Sequence, residues 1–122
     1  MASIVVQDLD IWRDSISLVK SVHSAVRKWP GNELDGIASQ TLRISVSIPA
    51  SLADGRGRDD PALTRKFAQN AIGSAFELDT LLIIAAEMGY QDLENIALLR
   101  KDLAMLMRRI ENFICCQEWM MR

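Results

Sequence analysis

The fold class that the sequence predicts is all-α: an antiparallel, up-and-down four-helix bundle formed by one domain of residues 1–122. Apolar residues recur at alternating spacings of three and four, which keeps them on one face of a helix. Clusters of Gly, Pro, Asn and Asp interrupt this pattern three times. Strict apolar-polar alternation occurs only over residues 43–48, inside a helical pattern, so we expect no strand. The expected helices are about 8–29, 33–54, 61–88 and 92–119.

The first segment carries two neighbouring apolar stripes, which is more than one bundle seam requires. The stripe predicted to form the seam comprises Leu9, Trp12, Ile16, Val19, His23 and Val26, with Asp8 as the expected N-cap. His23 is then a packing residue whose titration would make assembly sensitive to pH. The second stripe includes Ile11, Leu18, Val22 and Trp29. We expect these four residues to contact a second copy of the chain, because a lone bundle would leave them exposed.

The other segments differ in regularity. The second contains Pro49, which lacks a backbone N–H, so we expect a kink or a short 3₁₀ stretch over residues 48–51. The third begins with Asp60 as N-cap and Pro61 at the first helical position, and Gly89 ends it. A fourth segment from Asp92 matches the third in length. A short turn between two long helices predicts that they lie antiparallel.

Composition excludes several classes of function. The chain is 49% hydrophobic with a net charge of −2, which gives no overall attraction to nucleic acids or anionic membranes. Its longest apolar run, residues 81–86, is too short to span a membrane, so we expect a cytoplasmic protein without a membrane partner. Cys115 and Cys116 point about 100° apart on a helix and are expected to stay reduced. With His23 as the single histidine, no metal site is expected.

Several motifs resemble one family. Segment 47–58, SIPASLADGRGR, is similar to the S-I-P-x-N-I-A-E-G-x-G-R signature of the 23S ribosomal RNA intervening-sequence proteins, which are small bacterial four-helix bundles. Residues 8–12, DLDIW, resemble the family's opening D-L-x-V-W, and Gln40 and Arg43 fit its Q-x-x-R. Residues 73–80, GSAFELDT, fit its G-S-x-x-E-L-x-T, and Gly89 with Tyr90 matches its helix-ending G-Y. The resemblance implies a homo-oligomer, commonly a pentamer, for which nucleic-acid binding is the usual supposition.

A Gly-rich segment, residues 55–58, precedes the helix that begins at Pro61. Such a loop can bind a phosphate through its amides, guanidinium groups and the helix dipole. The candidate nucleic-acid or anion contacts are Arg56, Arg58, Arg65, Lys66 and Arg43. The alternative is a plain turn whose glycines adopt positive φ, since Asp59 and Asp60 would repel an anion.

Two acidic residues invite a catalytic interpretation. Glu77 and Asp79 diverge by about 200° around a helix, so they do not form a pair for acid-base chemistry. We expect one of them to pair with Arg43 in a structural salt bridge.

The sequence therefore predicts a non-enzymatic, homo-oligomeric scaffold or adaptor with weak RNA or DNA binding. The alternative is a dedicated nucleic-acid-binding module that uses residues 55–66 and arginines on the helix surfaces. Neither hypothesis requires a catalytic residue, a cofactor, a metal or a small-molecule substrate.

Overall fold

Four α-helices and no strand make up the part of the chain that the structure describes. A computed structural model gives residues 9–30 and 36–120, and for residues 117–120 it gives the helical backbone alone. The helices are α1 (Asp10–Val26), α2 (Ile37–Gly57), α3 (Pro61–Glu87) and α4 (Leu93–Met120). The predicted all-α, four-helix class is confirmed. The proposed N-cap Asp8 and the expected start of the second helix at residue 33 lie outside the described residues.

Each helix packs against two others: α1 and α3 both contact α2 and α4. The largest fully buried apolar side chains are Ile48, Leu78, Leu82, Leu103, Ile110 and Val22. On α3 the buried face is built mostly from alanines, namely Ala68, Ala71, Ala75 and Ala85. Because alanine is small, α3 can lie close to its neighbours while Leu78 and Leu82 fill the space between the four helices.

The second apolar stripe of α1, and not the stripe predicted to form the seam, supplies most of the core residues of this helix. Ile11, Leu18, Val22 and Trp29 lie in the core, each no more than 6% exposed. They are joined by the buried Ser15, whose hydroxyl donates a 2.6 Å hydrogen bond to the Trp12 carbonyl. Because this hydrogen bond satisfies the hydroxyl, the polar Ser15 side chain can be buried among apolar neighbours.

The stripe predicted to form the seam is mostly nearer the surface, although its Val26 is buried in the core as expected. Trp12, Ile16 and Val19 are half-buried, and His23 is exposed, so its assignment as a packing residue is wrong. The proposed interface between copies through Ile11, Leu18, Val22 and Trp29 is also wrong, because these side chains are already buried within one chain. An ionisable residue such as His23 favours the solvent side when a stripe without ionisable residues lies beside it.

Helix α2 continues without interruption through Pro49 and ends three residues later than expected, at Gly57. Residues 48–51 are α-helical, so the predicted 3₁₀ stretch is absent, while the kink remains a prediction. Hydroxyl groups next to the proline donate back to main-chain carbonyls, Ser45 to Leu42 at 2.8 Å and Ser47 to Ile44 at 2.6 Å. The proline ring is buried against the protein, which offsets the loss of one helical hydrogen bond.

Helices α2 and α3 are joined by a connection of three residues, Arg58 to Asp60. Asp59 takes the left-handed conformation, with φ 54°, that allows the chain to turn. Asp60 accepts a 3.0 Å hydrogen bond from the Ala62 amide, which confirms its prediction as the N-cap, with Pro61 in the first turn. The predicted turn with positive φ at Gly55 or Gly57 is wrong, because both glycines are helical.

The connection between α3 and α4 uses capping at both ends. Gly89, at φ 74°, donates to the Ala86 carbonyl, and Tyr90 donates to the Ala85 carbonyl, which is a Schellman motif. Asp92 then accepts a 2.7 Å hydrogen bond from the Asn95 amide and so caps α4, which begins at Leu93. The predicted stop at Gly89 is confirmed.

Candidate functional site

The corner between α2 and α3 is fixed by a close contact at Gly55. A Cβ at this position would lie 2.7 Å from the Phe67 Cβ and 3.1 Å from the Thr64 carbonyl oxygen. Thr64 donates a 2.9 Å hydrogen bond from its hydroxyl to the Gly55 carbonyl. The same carbonyl also accepts from the Arg58 amide at 3.3 Å, so the Thr64 hydroxyl adds a second hydrogen bond at the C-terminal end of α2. The Gly-rich segment is therefore a helix end packed on α3, and the predicted phosphate-binding loop is absent.

Four of the five candidate basic residues lie at this corner. Arg58 pairs with Asp54 at 3.2 Å, and its guanidinium group lies 5.3 Å from the centre of the Phe67 ring. Arg56 is half-buried, and its Nε has no hydrogen-bond partner among the residues that the structure describes. Arg65 is half-buried and engaged with neighbouring groups, whereas Lys66 is exposed.

Arg43 does not join this group. It lies thirteen residues before Arg56 on α2, which corresponds to about 20 Å along a helix. Its guanidinium group contacts the Ser39 hydroxyl at 3.3 Å. The expected pairing of Arg43 with Glu77 or Asp79 is wrong, because Arg43 forms no ion pair within the described residues and Asp79 pairs with Arg100 of α4.

The Asp79–Arg100 contact joins α3 to α4 through two hydrogen bonds, of 2.7 and 3.3 Å. The hydrogen bond and the charge of Asp79 raise the pKa of Arg100 above its ordinary value. Since the guanidinium group is charged at any physiological pH, this shift has no role in proton transfer. The pair is a structural link between two helices.

The electrostatic character of the corner is mixed. Between residues 54 and 66 there are four basic and three acidic residues, a net charge of +1. Asp59 and Asp60 lie in the connection itself, and Asp60 accepts a hydrogen bond from the Ala62 amide in the first turn of α3. Carboxylates at this position compete with any bound anion, so the corner offers a weak attraction to phosphate groups.

A groove between α1 and α4 is a feature that the sequence did not predict. It consists of two adjoining cavities of about 250 and 320 Å³ that share Ser21 and Asp102 in their walls. The floor is apolar and is formed by Leu18, Leu99 and Leu106. Serines of α1 form one rim, and Leu98 and Met105 of α4, 58% and 57% exposed, form the other.

Polar contacts close both ends of this groove. At one end Arg109 of α4 pairs with Asp14 and lies 3.9 Å from Asp10 on α1. At the other end the Trp29 indole donates a 2.8 Å hydrogen bond to the Gln91 side chain. Small α1 residues at positions 17, 21 and 24, all serine, leave the space between these two contacts open. A line of serines on one helix face is the sequence signal that could have indicated the groove.

Helix α3 also exposes large apolar side chains. Phe76 is 60% exposed, and Ile83, two turns later, is 38% exposed. Gly73, one turn before Phe76, has open space where a side chain would project. Phe76 and Ile83 are seven residues apart, so they lie on the same face of α3.

Other chemistry is sparse over residues 9–30 and 36–120. In that part of the chain no three His, Cys, Asp or Glu side chains are grouped so that they could hold a metal ion. Cys115 and Cys116 are exposed free thiols. None of the helices in the described residues has the length and apolar character needed to cross a membrane.

The fold places the chain among small all-α proteins of four helices. The sequence profile of a family described as 23S rRNA-intervening sequence protein matches residues 7–112. Since the match covers most of the 122 residues, the chain belongs to this family. Comparison with curated proteins gave no match.

Proposed function

We propose that this protein is a non-enzymatic scaffold that works as a homo-oligomer. The observation that carries the proposal is the exposure of large apolar side chains on two separate surfaces, Phe76 and Ile83 on α3 and Leu98 and Met105 on α4. Burying such side chains in contacts between copies would remove apolar area from water, which favours association. The family resemblance implies five copies in a ring.

We infer that the four helices form an antiparallel, up-and-down bundle. Two contacts support opposite directions for α1 and α4: Asp14, near the start of α1, pairs with Arg109, and Trp29, just after α1, bonds to Gln91, just before α4. The short connections between α2 and α3 and between α3 and α4 favour the same arrangement. Such a rod presents long outer helix faces to neighbouring copies.

Light scattering coupled to gel filtration tests the scaffold proposal. We expect a mass that is a multiple of 13.7 kDa, with five copies as the specific expectation. The measurement should be made at micromolar concentration and repeated after tenfold dilution, because weak assemblies dissociate by mass action. A constant mass of 13.7 kDa at both concentrations would contradict the proposal.

A second candidate function is RNA or DNA binding by the α2–α3 corner. It is favoured by Arg56 and Lys66, which form no ion pair within the described part of the chain. One corner with a net charge of +1 would bind weakly. A ring would present several corners at once, and their combined avidity would exceed that of any one.

The Lys66→Glu variant tests this second function, with Lys20→Glu as its control. Both residues are exposed and both changes alter the net charge equally, but Lys20 lies on α1. We expect binding to ribosomal RNA fragments to weaken with Lys66→Glu and with added salt, because fewer counterions are released from phosphates. Equal effects of the two variants would assign any binding to net charge and not to the corner.

A further inference from the structure

Two exposed surfaces of this protein match each other in length and spacing. The outer stripe of α3 consists of Gly73, Phe76, Thr80, Ile83 and Glu87, all of them exposed. The α1–α4 groove, between Asn95 and Arg109 of α4, spans the same fourteen residues, about 21 Å of helix. A helix that lies in a groove between two others is a common mode of recognition.

The apolar side chains of the two surfaces have the same period. Phe76 and Ile83 are seven residues apart on α3, and Leu98 and Met105 are seven residues apart on α4. Seven residues are two helical turns, so each pair spans about 10 Å along one face. Phe76 and Ile83 of one copy can therefore contact Leu98 and Met105 of another at the same time.

The charges beside these residues select one direction for the contact. Glu87, one turn beyond Ile83, has no ion pair in the described structure, and neither has Lys28, which lines the groove beside Leu98. Placing Ile83 against Leu98 brings Glu87 toward Lys28. The reverse direction would bring Glu87 toward Arg109, which is already paired with Asp14.

Glycine at position 73 fits the same arrangement. With Phe76 against Met105, Gly73 would lie near the Arg109–Asp14 pair, which occupies the end of the groove. The space around a Cβ at Gly73 is open, so the stripe has room for the guanidinium group of a neighbouring copy. A larger residue at position 73 would meet that ion pair.

We propose that the outer stripe of α3 in one copy docks into the α1–α4 groove of a second copy. In this contact Phe76 packs on Met105, Ile83 packs on Leu98, and Glu87 pairs with Lys28. The inference rests on the proposed homo-oligomer and assigns its interface. Because stripe and groove are different surfaces, the contact is head-to-tail, and it propagates until a ring closes.

Cross-linking tests the register of this contact. In a Cys115→Ser, Cys116→Ser background, chains with Phe76→Cys are mixed with chains carrying Met105→Cys and treated with a short bis-maleimide. We expect covalent dimers in the mixture at several times the yield from either chain alone. The control replaces Phe76→Cys with Val46→Cys, because Val46 is also exposed, 51%, but lies on α2. A yield no higher than that of the control would overturn the proposal.

A charge exchange provides a second test that does not depend on a reagent. Glu87→Lys and Lys28→Glu should each raise the concentration at which the oligomer dissociates by about tenfold, through repulsion of like charges. The double variant should restore dissociation toward that of the unmodified protein. A double variant that dissociates like the worse single variant would overturn the assigned contact, provided that circular dichroism shows all three folded.

These results separate the interface from the scaffold proposal. An unmodified protein that is always monomeric would contradict both. An oligomer that keeps its mass in both single variants, with no specific cross-link, would leave the scaffold standing and place its interface elsewhere, for example on the half-buried Trp12, Ile16 and Val19 of α1.

Discussion

The indole nitrogen of Trp29 donates a 2.8 Å hydrogen bond to the side-chain oxygen of Gln91, across 62 positions of sequence. The Trp29 ring is 4% exposed, and its centre lies 6.2 Å from that of Tyr90. Through this contact the segment after α1 is tied to the turn between α3 and α4. The contact also bounds the α1–α4 groove at that end.

Replacing Trp29 with phenylalanine should lower the free energy of unfolding by about 1–3 kcal/mol, because a buried ring shrinks and Gln91 loses its donor. Urea denaturation at a fixed protein concentration measures this change. Trp12→Phe is the matched control. Because Trp12 is half-buried, this substitution should lower the free energy of unfolding by about 1 kcal/mol or less. Equal costs for the two variants would mean that the Gln91 contact contributes little.

The sequence alone was sufficient for the fold class and for several helix ends. Asp60 and Gly89 act locally, through a side-chain cap and a left-handed residue, so local patterns predicted them. The end of α2 could not be predicted in this way. Whether Gly55 is helical or in a turn depends on contacts with Thr64 and Phe67, which lie on another helix.

The roles of the two α1 stripes also depended on tertiary structure. Both have helical periodicity, and the stripe that is buried also contains the polar Ser15. The serines of α1 indicate one wall of the groove between α1 and α4, but the other wall belongs to a segment more than 60 residues away, so the groove as a whole depends on tertiary structure. Pairing partners such as Arg100 for Asp79 were likewise set by which helices are neighbours.

Alanine substitutions in α1 should distinguish the two stripes. Leu18→Ala should lower the free energy of unfolding by about 2–5 kcal/mol, because Leu18 is 4% exposed and the change leaves a cavity. Ile16→Ala should cost about 1 kcal/mol or less, since Ile16 is half-buried and alanine has the higher helix propensity. Thermal and urea denaturation measure both values. A larger loss of stability in Ile16→Ala than in Leu18→Ala would mean that the stripe predicted to form the seam is the one in the core.

Asp59 should be replaceable by glycine with a gain in stability. Its φ of 54° costs a residue with a Cβ about 1–2 kcal/mol, and glycine removes that cost while adding freedom to the unfolded chain. The net expectation for Asp59→Gly is a rise of about 0.5–1 kcal/mol in the free energy of unfolding. Loss of stability would show that the Asp59 side chain makes a contribution of its own to the connection.

Asp60→Ala should have the opposite effect from Asp59→Gly, although the two residues are adjacent. Asp60 caps α3 by accepting from the Ala62 amide at 3.0 Å, and loss of such a cap costs about 0.5–2 kcal/mol. Asp60→Asn is the control, because asparagine also caps helices and should retain most of the stability. If Asp60→Ala and Asp60→Asn lowered the free energy of unfolding equally, the stabilising effect of Asp60 would not come from capping.

Two glycines at the end of α2 allow a direct test of the packing at the corner. Gly55→Ala would place a Cβ 2.7 Å from the Phe67 Cβ, so the helices must separate. We expect the free energy of unfolding to fall by about 1–3 kcal/mol. At Gly57 an added Cβ meets nothing within 4 Å, and Gly57→Ala should raise stability by about 0.4–1 kcal/mol.

The comparison of these two variants is informative because both glycines lie in the last turn of the same helix. Alanine improves helix propensity at either position, so the difference between the variants isolates the contact with α3. Phe67→Ala combined with Gly55→Ala should cost less than the sum of the two single changes, since removing the ring gives the Phe67 segment room to shift. Strict additivity would mean that the backbone of Thr64, 3.1 Å from the added Cβ, is the group that resists the substitution.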